Sequence, residues 1–137
     1  MQTIIVDYLR MFICLVDGCH RYQNLTDAER KYDHPLISPR KCDNDVSNKG
    51  WYRFQGAAGT KMATTSPGFD KCGAPYPAWL YGAHPTVAEG TVRRLVCINK
   101  GGVCKEQSLV YVRNCTSYYV YKFYPLNHCP VRYCGTD

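Results

Sequence analysis

Nine cysteines spread along a 137-residue chain constrain this sequence more than any other feature. Cys14, Cys19, Cys42, Cys72, Cys97, Cys104, Cys115, Cys129 and Cys134 nowhere form the paired C-x-x-C halves of a zinc ribbon or finger. Scattered in this way they read as a disulfide framework, which forms and persists in an oxidising, extracellular compartment. The count is odd. Cys14 is set aside because it lies in the apolar run Met11-Phe12-Ile13-Cys14-Leu15-Val16, while the other eight lie among turn and strand signals and make four bridges. Spacing alone does not choose among the many connectivities that eight cysteines allow.

Two aromatic stretches organise the remainder. In Gly50-Trp51-Tyr52-Arg53-Phe54, side chains alternate as on a strand, with Tyr52 and Phe54 on one side and Trp51, Arg53 and Gln55 on the other. Between Cys72 and Pro85 the chain holds Pro75, Pro77, Trp79, Tyr81 and Gly82, a composition that excludes a helix and predicts an irregular, aromatic loop pinned by disulfides.

Taken in order, residues 1–18 are apolar in patches. Asp7 and Arg10 interrupt the centre that a secretory signal needs, and no small-residue cleavage pattern precedes Cys19. Three readings stay open: a degraded leader, a true first element, or the internal edge of a longer protein. No run is long enough to span a bilayer. Thr26-Asp27-Ala28-Glu29 has the form of a capping box and predicts one or two helical turns. Asn44 to Gly50 is a turn cluster, Gly56 and Gly59 mark a bulge or tight turn, and Lys61-Met62-Ala63 is a short strand.

Thr91 to Ile98 is rich in β-branched residues and reads as a strand, with Asn99-Lys100-Gly101-Gly102 as the following turn. Leu109 to Arg113 and Tyr118 to Tyr124 form a hairpin in which Leu109 and Tyr111 share one face and Tyr119, Tyr121 and Phe123 another. The fold class is therefore mainly β: a small disulfide-rich extracellular domain of short strands, hairpins and long pinned loops, with little helix. Residues 1–18 are leader-like and residues 19–137 form the domain.

The formal charge of +6 is dispersed, its densest groups being pairs such as Arg93-Arg94, which argues against a nucleic-acid partner. Phosphate-cradling loops, nucleophile elbows and H-E-x-x-H helices are absent from the sequence. Cysteines held in disulfides can serve neither as nucleophiles nor as metal ligands, so His20, His34, His84 and His128 gain no thiolate partner and no cofactor is called for. His84 reads as a structural residue packed near Trp79.

The order Cys19-x-x-Tyr22, Cys42-Asp43, Gly50-Trp51-Tyr52-Arg53-Phe54, Gly56, Gly59, Met62, Cys72, Pro77, Trp79-Leu80, Gly82, His84-Pro85, Gly90, Cys97, Cys104, Cys115, Tyr119-Val120-Tyr121, Cys129 and Tyr133-Cys134 resembles the eight-cysteine domain of uromodulin and of the major glycoprotein of pancreatic secretory granule membranes. The resemblance covers about residues 19 to 135. It implies a β-rich secreted module of a larger mosaic protein. Disulfides Cys19 to Cys115, Cys42 to Cys129, Cys72 to Cys134 and Cys97 to Cys104 follow from the same resemblance. With Thr64-Thr65-Ser66 and a single Cys104, the chain matches the form with eight cysteines rather than ten. Some members present mannose-rich glycans to bacterial adhesins; here Tyr81-Gly82-Ala83-His84 lacks the asparagine sequon those relatives carry.

Asn24-Leu25-Thr26 and Asn114-Cys115-Thr116 are acceptor sequons for glycosylation in a secreted chain. Trp79, Tyr81 and His84 are the candidate binding residues. The leading function is a non-enzymatic extracellular structural or interaction module whose partners are extracellular proteins or glycans. A secreted glycan- or adhesin-binding protein is the alternative, and a secreted hydrolase is a distant third for want of any visible acid or base pair.

Overall fold

The computed structural model describes residues 18–39, 41–44, 46, 50–126 and 129–137. Residues 1–17 of the leader-like segment, with Cys14 among them, His128 and most of the predicted turn cluster before Gly50 lie outside them. Among the described residues, nine strands follow in chain order: β1 (Gln23–Leu25), β2 (Tyr52–Phe54), β3 (Lys61–Met62), β4 (Tyr76–Tyr81), β5 (Thr91–Ile98), β6 (Glu106–Asn114), β7 (Tyr119–Phe123), β8 (Val131–Tyr133) and β9 (Gly135–Thr136). Seven of them form one sheet in the order β1-β2-β7-β6-β5-β4-β8, and β3 pairs with β9 in a small second sheet.

The centre is an antiparallel meander, β4 to β7, built where β-branched and aromatic residues alternate. Register places Val110 opposite Phe123, Val112 opposite Tyr121 and Asn114 opposite Tyr119, so the odd-numbered aromatics of β7 point to the inner face. Tyr111 and Lys122 pair on the outer face. Inside, Phe123 stacks on Tyr133 with centroids 3.9 Å apart, and Phe54 meets Tyr121 edge-on at 5.4 Å. Leu80, Val96, Val110, Val112 and Met62 close around these rings. Such aromatic pairs add about 0.5–1.5 kcal/mol each beyond the area they bury.

The segment from Cys72 to Pro85 departs from its expected irregularity. Its middle is β4, paired antiparallel with β5 from Ala78 to Tyr81 and parallel with β8 from Tyr76 to Ala78. Pro77 is tolerated because it sits at the end of the pairing with β5: its carbonyl accepts the Asn99 N–H at 3.0 Å, and the ring forgoes only the terminal reciprocal bond. Both faces of β4 are covered from Pro77 to Leu80. Ala78 and Leu80 face the main core, while Trp79 packs in a second cluster with Ala63, Cys72, Cys97 and Cys134.

The expected helix after Thr26 is a single 3-10 turn, Ala28–Arg30, with Asp27 at its N-cap position and no side-chain cap bond. Asp27 rather than Thr26 takes the N-cap position, and its Oδ2 is held by ion pairs, accepting from Arg132 Nη2 at 2.8 Å and lying 3.7 Å from Arg30 Nε. At the other end of the chain Gly135 is needed for close approach, because a Cβ there would stand 2.0 Å from the Ala58 carbonyl oxygen.

Candidate functional site

The eight cysteines of the domain form four disulfides: Cys19 with Cys115, Cys42 with Cys129, Cys72 with Cys134 and Cys97 with Cys104. They close loops separated by 96, 87, 62 and 7 residues respectively. Cys72 and Cys134 are fully buried beside Trp79, whereas the short Cys97 to Cys104 bridge fastens the β5–β6 turn.

Beside the Cys42 bridge lies a knot of charges that the sequence showed only as the dipeptide Cys42-Asp43. Arg30, Asp43 and Arg132 are 4%, 2% and 2% exposed. Arg30 holds Asp43 with two bonds, Nη1 to Oδ2 at 2.6 Å and Nη2 to Oδ1 at 2.7 Å. The same carboxylate accepts the Tyr133 N–H at 2.8 Å, and the Asp43 N–H donates to the Val131 carbonyl at 2.9 Å. Asp43 thus covers the outer edge of β8, an edge that would otherwise offer unpaired backbone to another chain. Burial, and then the neighbouring Arg30 charge, hold the Arg132 guanidinium below its ordinary value. No sequence pattern marks Arg30 or Arg132, since they lie 102 residues apart in the chain and meet only in the fold.

The three expected binding residues do not form one site. Trp79 is 8% exposed, with its indole N–H donating to Asn99 Oδ1 at 3.0 Å, so its ring has no open face for a sugar. Asn99, read from sequence as a turn residue, is instead a buried hub whose amide also donates to Ser66 Oγ and the Gly68 carbonyl. Tyr81, at 58% exposed, stands open on the sheet surface. His84 is partly buried and packs on Tyr119 at 4.3 Å rather than on Trp79.

His84 Nε2 lies 2.7 Å from the Tyr121 hydroxyl, which itself accepts the Met62 N–H at 2.9 Å. Burial raises Tyr121, so its phenol keeps its proton and donates it to a neutral imidazole. Desolvation, then the charges of Lys61 and Arg94, lower His84 from 6.5 to about 4. An unfolded chain therefore binds more protons than the folded one between those two values, and stability falls as the pH drops through that window. The loss at pH 4 relative to pH 7 is about 2–3 kcal/mol, after allowance for the ring's remaining solvent contact. Urea unfolding of the wild type and of His84→Gln at both pH values checks this: parallel pH dependence in the two proteins would remove His84 as the cause.

Of the two sequons, Asn24 is exposed on the edge strand β1, its side-chain oxygen accepting from Gln55 Nε2. Asn114 is partly buried, and its amide nitrogen, the atom that would carry a glycan, donates to the Pro85 carbonyl at 3.1 Å. Among the described residues no group of His, Cys, Asp and Glu is arranged to hold a metal ion, and no helix is long and apolar enough to cross a membrane.

Residues 52–135 match the family model of the uromodulin-like eight-cysteine domain. The chain belongs to this family. It is similar to the pancreatic secretory granule membrane major glycoprotein GP2 of Rattus norvegicus, 35% identical over 127 residues that make up 89% of this chain and 23% of the relative. The Canis lupus familiaris GP2 is 36% identical over 86% of this chain and 23% of its own length. Uromodulin of Rattus norvegicus is 34% identical over 86% of this chain and 18% of its own. The uromodulin-like chain thus spans about a fifth of the length of these relatives. With four disulfides and relatives that are secreted or surface glycoproteins, it is an extracellular module.

Proposed function

We propose that the uromodulin-like domain, beginning near residue 19, is a non-enzymatic interaction module of a larger secreted or cell-surface glycoprotein, engaging extracellular proteins or glycans through a rigid sheet surface. The observation that supports this reading is the distribution of constraints. Three long-range disulfides and the Asp43 knot fasten the ends and one edge of the sheet, while among the described residues Tyr81 and Arg93 are exposed in the middle of its outer face. A surface held in one conformation loses little entropy when a partner binds it, which is what an interaction module requires. The tight His84 to Tyr121 pair is assigned to the structure rather than to chemistry, because the phenol points into the core.

Secretory expression tests the reading. Alkylation under denaturing conditions is expected to find no free thiol among the eight domain cysteines, and the chain is expected to resist limited proteolysis until it is reduced. Free thiols, or equal cleavage before and after reduction, would sink it. The glycan position gives a further expectation. Asn24 is the acceptor and Asn114 is not, so Asn24→Gln removes the mass released by an amidase that strips N-linked glycans, whereas Asn114→Gln leaves that mass unchanged.

A further inference from the structure

Among the described residues, the outer face of the seven-stranded sheet is covered at both ends, while in the middle Tyr81 and Arg93 are exposed and Tyr111, Lys122 and Tyr124 half-exposed. At one end Trp79 and the Cys72 and Cys97 bridges cover it. At the other, Arg53 lies 3.9 Å over the Tyr118 ring, with Tyr22 alongside. Between them, register aligns Arg93 of β5, Tyr111 of β6 and Lys122 of β7 in one row, and Tyr81, Leu95 and Leu109 in the next. Tyr124, two residues beyond Lys122, joins the same side. Its ring lies 5.9 Å from that of Tyr111, and their hydroxyls are 3.4 Å apart. A cleft of about 270 Å³ opens there, lined by Tyr111, Lys122, Phe123, Tyr124 and Pro125, and the Arg93 side chain reaches Tyr124.

We propose that this cleft binds an acidic saccharide, a sugar bearing carboxylate or sulfate. Two features select that class. Arg93 and Lys122 stand on this side, and the described residues of the two aligned rows carry no carboxylate, so this part of the face offers an anion positive charge. The polar heads converge beside two tyrosine rings, which give apolar area for the face of a pyranose and hydroxyls for its polar rim. Arg93 and Lys122, two strands apart, stand about 10 Å from each other across the sheet, a span suited to successive acidic groups on one short chain. An acidic peptide would use the cations but not the paired rings. The site lies apart from the asparagine sequons and from His84, and it goes beyond the scaffold role, whose own test on thiols and proteolysis is independent of it.

The test is titration of the full chain with a sulfated, uronate-containing tetrasaccharide, followed by isothermal calorimetry and by NMR shifts of the Tyr111, Lys122 and Tyr124 amides. Its desulfated, carboxyl-reduced counterpart and a polyglutamate peptide are run beside it. Binding of the acidic sugar is expected to weaken by roughly tenfold in Arg93→Ala and again in Lys122→Ala. Tyr124→Leu is expected to weaken the sugar while leaving polyglutamate unchanged, and Lys105→Ala, just before the start of β6, to leave both unchanged. Retained circular dichroism and thermal midpoints certify the variants. Equal affinity for the neutral sugar, equal affinity for polyglutamate, or no shift at these amides would each overturn the assignment.

Discussion

Replacing Asp43 by Asn is expected to destabilise the domain by about 3–5 kcal/mol, the cost of stranding a buried cation rather than the net value of an ion pair. Among the described residues the carboxylate is the only buried acid that reaches both buried arginines: it holds Arg30 by two short bonds and lies 4.0 Å from Arg132 Nε. Asp27, which also pairs with both arginines, is 47% exposed, so its charge reaches them with more solvent screening. The amide side chain of Asn keeps one acceptor for the Tyr133 N–H but turns an N–H₂ toward Arg30, so charge balance is lost while shape is nearly kept. Because residue 43 keeps its backbone bond to Val131 and an acceptor for the Tyr133 N–H, the β8 edge stays covered, and the variant is expected to remain unassociated where the parent does. The checks are chemical denaturation and light scattering. A double-mutant cycle with Arg30→Met separates the terms: the pair is expected to be less damaging than the sum of its single changes, and strict additivity would refute the stranded-charge account.

Removal of the Cys72 to Cys134 bridge, as Cys72→Ala with Cys134→Ala, has an expected effect of similar size. Loop-closure entropy for a separation of 62 residues corresponds to about 4 kcal/mol, against about 2 kcal/mol for the Cys97 to Cys104 loop with its separation of 7. Packing acts in the same direction, since Cys72 and Cys134 are fully buried against Trp79 and two lost sulfurs leave a void there. Guanidinium unfolding is therefore expected to show a midpoint lowered much more by the first pair of substitutions than by Cys97→Ala with Cys104→Ala. Its slope is also expected to rise, because a chain freed of a long cross-link exposes more surface when it unfolds. Equal losses from the two bridges would show that loop length does not govern their contribution.

Both effects concern residues whose roles differ in how far they could be read in advance. The β class was legible because hydrophobic alternation is local: the strand over Thr91–Ile98 and the inward set Tyr119, Tyr121 and Phe123 are properties of neighbouring residues. The segment around Trp79 was not, since its prolines suggest loop, and only the arrival of β5 on one side and β8 on the other makes it a strand. The Thr26 to Glu29 capping signal shows the same in reverse: it yields a single 3-10 turn whose N-cap carboxylate, Asp27, goes to Arg132, 105 residues away. His84 was rightly read as packed, but its partner could not be named from sequence because Tyr119 and Tyr121 are more than thirty residues away.

The sequence by itself determined the compartment, the strand-rich class and the family order of cysteines and aromatics, because each depends on residue type and spacing along the chain. Tertiary structure alone decided which aromatics are buried, which charges meet and which face stays open. Exposure and ion pairing depend on what the fold brings from far away, as when Asp43 finds Arg30 on one side and the backbone of Tyr133 on the other.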